Sequence, residues 1–128
     1  ENLNNKSLVQ IAVGKRLAEK SLVDLKQLLD TNNIQLVLVL LPIKEQIYWD
    51  IILRNNPEYA YIDINYVTNS VKDFADENQI SYIDMRDELS KHRMEDIYFP
   101  YDGHLTPHGN SIVANAVYRY LAYENMTN

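Results

Sequence analysis

The sequence predicts an α/β fold in which parallel strands lie between layers of helix, a three-layer α/β/α arrangement. Three observations carry that prediction. Ile34-Gln-Leu-Val-Leu-Val-Leu-Leu41 is a near-continuous run of branched apolar residues, the pattern of a strand covered on both faces, as in a parallel sheet. Ile80-Ser-Tyr-Ile-Asp84 is a second, shorter strand bounded by polar turns. Helical periodicity fills the chain before, between and after them, so the two strands pair in parallel through a crossover.

Residues 1–5 are polar and are expected to fray. From Ser7 to about Asp30 the apolar positions Leu8, Ile11, Ala12, Ala18, Leu22, Leu25 and Leu29 follow helical spacing, and Thr31-Asn32-Asn33 ends that helix. Pro42 stops the first strand. Ile43 to about Leu53 reads as one helix, with Ile43, Ile47 and Ile51 on one face and Tyr48 and Trp49 as packing residues. Asn55-Asn56-Pro57 breaks the chain, and Glu58 to Tyr61 reads as loop. A third helix runs from about Ile64 to Glu77, with Val67, Val71 and Phe74 on one face and Asp63 as its N-cap. Asp84 and Asp87 read as turn and helix-start acids beside a short helix from Arg86 to about Arg93. A loop over 94–105 leads into the last helix, from Pro107 to about Tyr123.

The 128 residues are one domain's worth of chain, with the 46% apolar and 23% charged composition of a soluble globular protein. A net charge of −6 argues against binding nucleic acid, which asks for a basic face. The one basic cluster, Lys91-His92-Arg93, reads as solvated. There is no cysteine, which excludes disulfides and thiolate metal sites and leaves the compartment open, an extracytoplasmic one included. The longest apolar run, ending at Pro42, is too short to span a bilayer, and no signal peptide is visible. The chain begins at Glu1 rather than Met, so it is read as trimmed from something longer. No cofactor is called for. The ten tyrosines read mostly as half-buried packing residues with wet hydroxyls.

The chemistry-bearing stretch is Tyr98-Phe-Pro-Tyr-Asp-Gly-His-Leu-Thr-Pro-His-Gly-Asn110. Asp102 and His104 sit in a loop punctuated by Pro and Gly. Thr106 is placed to cap the next helix, and Pro107 suits its first position. An acid and an imidazole held before a rigid helix can act as the orienting and base members of a catalytic relay. The plainer reading is a turn made by Asp-Gly beside an exposed histidine.

Asp102-Gly-His104-Leu-Thr-Pro-His-Gly109, leading into an alanine-bearing amphipathic helix, resembles the last block of SGNH/GDSL hydrolases, whose sheet is flavodoxin-like. Many members write the pair as Asp-x-x-His, whereas this chain has Asp-x-His. The resemblance implies that His104 is the general base and Asp102 its orienting acid. It further implies a five-stranded parallel sheet, of which the two strands here resemble the fourth and fifth. The family's Gly-Asp-Ser nucleophile block and its Gly-x-Asn block are not in the sequence. The chain is therefore read as the C-terminal part of a serine esterase acting on acyl or acetyl esters of lipid or carbohydrate. The expected sheet-edge partner is an upstream part or another chain. Relatives include polysaccharide O-acetyltransferases, so transfer stays open, as does a non-catalytic binding or assembly module.

Other candidates weigh less. Lys44, just past the first strand, can face the site and meet an anionic group, or can pair with a nearby acid. Tyr98, Phe99 and Tyr101 either line a pocket mouth or pin the loop to the core, and Tyr101 is kept as a substrate-binding candidate. His104 and His108 with Asp102 raise the question of zinc, but Pro107 puts His104 before the helix, and no metal is called for. Ser7, Ser21, Ser70, Ser81, Ser90 and Ser111 all lack the Gly-flanked strand-to-helix turn that exposes a nucleophile.

Overall fold

A computed structural model describes the backbone of residues 2–127 and the side chains of residues 10–123. The chain is mixed and helix-rich, in the order α1 (Asn2–Asp30), β1 (Val37–Leu40), α2 (Lys44–Ile47), α3 (Trp49–Asn55), a 3-10 turn (Pro57–Tyr61), α4 (Tyr66–Glu77), β2 (Ser81–Asp84), α5 (Arg86–Lys91) and α6 (Pro107–Thr127). β1 and β2 form a two-stranded parallel sheet in the register Val37↔Ser81 to Leu40↔Asp84, as the two predicted strands and the helical stretch between them imply.

Several boundaries differ from the sequence reading, each for a local reason. α1 is already helical at Asn2, where fraying was expected. Its Ile11 and Leu25 stay exposed, and Leu8 lies outside the described side chains. α1 closes where Asn33 adopts a left-handed φ of 55° and Ile34 N–H returns to Leu29 O, a conformation asparagine tolerates. β1 is shorter than its apolar run and only half-covered, with Ile34, Val39 and Leu41 exposed. Branched residues suit a strand wherever they sit, so the run predicted the strand but not its covering.

The expected helix over 43–53 is two helices, interrupted at Tyr48 (φ −108°, ψ 16°). Residues 57–61 wind into a 3-10 turn where loop was expected. Asn65, not Asp63, is the N-cap of α4. Asp63 instead accepts the Asn65 N–H through its side chain at 3.0 Å, a turn one step earlier.

The core lies where α2, α5, α6 and the loop before α6 meet. Met85, Leu89 and Ile97 are fully buried there, with Ile47, Tyr98 and Ile112 around them. The basic cluster is paired rather than simply solvated: Lys91 with Glu88, His92 with Glu95, and Arg93 with Asp50.

Asp84, at the carboxyl end of β2, joins the sheet to α5. Arg86 Nη2 lies 2.6 Å from its carboxylate, and Arg86 N–H and Lys72 Nζ also donate to it. The Arg86 guanidinium, helped by that amide and Lys72, holds the Asp84 carboxyl well below the usual range against partial burial, which pushes the other way. A lowered folded-state pKa stabilises the fold fully above the unfolded value, about 4. Acid unfolding of Asp84→Asn is therefore expected to be flatter than wild type below about pH 4, with a loss of about 1–2 kcal/mol at pH 7. Denaturant melts at a series of pH values check this.

Candidate functional site

The loop before α6 is closed at its base and open at its tip. Tyr98 and Leu105 form an antiparallel bridge, with Phe99 N–H donating to His104 O at 3.0 Å and Thr106 N–H to Ile97 O at 3.0 Å. Thr106 caps α6 as the sequence predicts: its hydroxyl accepts the Gly109 N–H at 3.1 Å and donates to Asp96 O at 2.5 Å. Gly109 is required by a close approach. A Cβ there would lie 2.2 Å from Ile97 O.

The loop is seated against the carboxyl end of β1. Tyr98 is buried and its hydroxyl donates to Pro42 O at 2.7 Å. Burial first, then nearby Tyr48 and Glu45, pushes the Tyr98 phenol up to about 12, so it stays a donor throughout the physiological range. Tyr98→Phe leaves the Pro42 carbonyl unpaired and is expected to cost about 1–2 kcal/mol in a denaturant melt.

Tyr98 thus pins the loop, whereas Tyr101 is fully exposed and Phe99 43% exposed. Of the two readings for these aromatics, pinning the loop fits Tyr98, and Tyr101 lies at a cleft instead. Among the described residues, Lys44 pairs with no acid. Its ammonium donates to Phe99 O at 2.8 Å and Pro100 O at 2.9 Å.

At the tip, Asp102 Oδ1 accepts the His104 backbone N–H at 2.8 Å and lies 3.4 Å from His104 Nδ1. The carboxylate makes an Asx-type turn first and stands farther from the imidazole than from that amide. His104 is 87% exposed and Asp102 54% exposed. Two clefts flank the loop. One of about 430 Å³ is lined by Lys44, Glu45, Tyr48, Tyr101 and Asp102 among others. The other, about 260 Å³, is lined by His104, Tyr98, Pro42 and Asn110 among others. Asn110 escaped the sequence reading because a polar residue in a first helical turn looks like any surface position.

Among the described residues, no serine lines either cleft. Ser21 bonds within α1, Ser70 accepts from Lys15, and Ser111 bonds back to His108 O. The Ser7 side chain lies outside the described residues.

His108 turns away from His104 and pairs with Glu95, which also meets His92 Nδ1 at 2.8 Å. His108 and His92 together hold the Glu95 carboxyl below its usual range. Among the described residues, no group of three or more His, Cys, Asp or Glu is placed to hold a metal ion, and no helix is long and apolar enough to cross a membrane.

Parallel strands with an Asp-x-His loop at the carboxyl end of β1, capped into a helix by Thr-Pro-x-Gly, are the features that resemble an SGNH hydrolase-like domain. The chain belongs to the family described as SGNH hydrolase-like domain, acetyltransferase AlgX, whose model matches residues 7–127. Searches of curated proteins and of solved structures found no match.

Proposed function

We propose that this chain supplies the acid–base half of an acyl-ester site. His104 is the general base and then the general acid, and Asp102 orients it. The observation that carries the reading is the loop: an exposed imidazole beside a carboxylate, at the carboxyl end of β1, on a base fixed to the core. In the first step a serine hydroxyl attacks the ester carbonyl while His104 takes its proton, and the proton then passes to the departing alkoxide. In the second step an acceptor hydroxyl attacks the acyl-serine and His104 repeats the exchange.

The family's description as an acetyltransferase supports acetyl transfer, and the acceptor proposed here is a carbohydrate hydroxyl. With water as the acceptor, the same site is an esterase for carbohydrate or lipid esters. The serine that gives its proton to His104 comes from residues other than those that line the two clefts described. On this reading β1 and β2 belong to a larger three-layer α/β/α sheet, completed by further residues of the protein or by another chain.

One observation favours a second reading, a non-catalytic α/β module: Asp102 binds the His104 amide more closely than the ring. The deciding experiment follows p-nitrophenyl acetate with the full-length gene product, with and without dextran as acceptor. Nitrophenol release with acetyl appearing on the dextran supports transfer, and release without it supports hydrolysis. No release favours the module. The 128-residue chain alone is expected to turn over little or nothing. A robust rate from it, lost in His104→Ala, overturns the absence of a nucleophile.

A further inference from the structure

We propose that Lys44 is a positioning residue for the Asp102–His104 pair, an inference that rests on the reading of His104 as general base. Lys44 opens α2 just beyond β1. Its ammonium donates to Phe99 O and Pro100 O, 55 and 56 residues away in the chain. Among the described residues, the hydrogen bonds that reach residues 99–104 from elsewhere in the fold all come from this ammonium.

The loop's other bonds are its own, Phe99 N–H to His104 O and His104 N–H to Asp102 Oδ1. Packing contributes little at the tip, because Tyr101 is fully exposed and His104 nearly so. The base is therefore set by Tyr98 on Pro42, and the tip is set by a charged donor on two carbonyls. Hydrogen bonds from a charged donor are the stronger kind. Spending two of three ammonium protons on backbone also leaves Lys44 little capacity to bind substrate. Its action reaches the imidazole through the loop, where a misplacement of about 1 Å can cost roughly 100-fold in rate.

The test uses Lys44→Met, which keeps the stem and removes the charge, and Lys44→Arg. In the full-length gene product, amide exchange at Phe99 and His104, whose N–H groups the loop's own bonds hold, is expected to speed up about tenfold in Lys44→Met while the sheet amides of β1 and β2 keep their rates. Equal acceleration of loop and sheet, or none in the loop, overturns the proposal.

With the full-length gene product and p-nitrophenyl acetate, Lys44→Met is expected to lower kcat by about 10- to 100-fold with KM within about twofold. Lys44→Arg should recover most of the loss. In a His104→Ala background the same change should add less than about twofold, since the two act through one group. A raised KM with unchanged kcat makes Lys44 a substrate ligand and overturns the proposal. A silent Lys44→Met in an enzyme that depends on His104 overturns the positioning role alone. A silent His104→Ala overturns the general-base reading and the Lys44 role with it.

Discussion

Replacing His104 by alanine is expected to lower acetyl-ester turnover of the full-length gene product by about 1,000-fold or more, at nearly unchanged stability. The ring is 87% exposed, and among described residues its one close polar neighbour is Asp102, so little packing is lost with it. A large rate effect without a stability effect is the mark of a group that works in the reaction. Asp102 needs a finer test, because it serves two partners. Asp102→Asn keeps a side-chain oxygen for the His104 N–H at 2.8 Å but removes the negative charge 3.4 Å from Nδ1. Asp102→Ala removes both. If charge beside the imidazole matters, both variants lose rate. If Asp102 only shapes the turn, Asn retains the activity that Ala loses. Steady-state kinetics of the three variants beside their melting curves separates these cases.

Gly109→Ala is expected to destabilise the fold by about 3 kcal/mol, near the top of the range for overpacking. The added Cβ would meet Ile97 O at 2.2 Å and Leu105 Cδ2 at 3.0 Å. The backbone carbonyl cannot move alone, since it also accepts the Thr106 N–H at 3.0 Å. Relief of the clash must push α6 off the strand-like arm that carries the loop. Gly103 supplies the control. It has no positive φ, and a Cβ there meets nothing within 4 Å, so Gly103→Ala should stay within about 0.5 kcal/mol of wild type. Equal melting of the two glycine variants overturns this account of the Thr-Pro-x-Gly motif.

That motif shows what was legible in the sequence. Thr106 as cap and Pro107 as first helical residue follow from local chemistry alone, and both are found. The parallel pairing of the two strands was equally legible, because the helical stretch between them calls for a crossover connection. What escaped was set by contacts distant in sequence. Lys44 at the start of a helix looks like any surface lysine until Phe99 and Pro100 are brought beneath it. The break at Tyr48 lies inside an unbroken i, i+4 pattern. Tyr101 and Tyr98 are the same residue type three positions apart, and only the fold decides that one is buried against Pro42 and the other exposed. The 3.4 Å separation of Asp102 from the imidazole depends on the loop's own hydrogen bonds, which a spacing cannot express.

The parallel register of β1 and β2 also governs how the molecule comes to be. Val37 cannot meet Ser81 until all the chain between them has been gathered in, and that loop-closure entropy is lost before any ladder bond repays it. Helices such as α4 and α6 relax in about a microsecond on local contacts, whereas non-local strand pairing is slow. The Lys44 contacts to Phe99 and Pro100 span a still longer stretch. The Asp102–His104 loop is therefore expected to reach its working shape late in folding, after the sheet has closed beneath it.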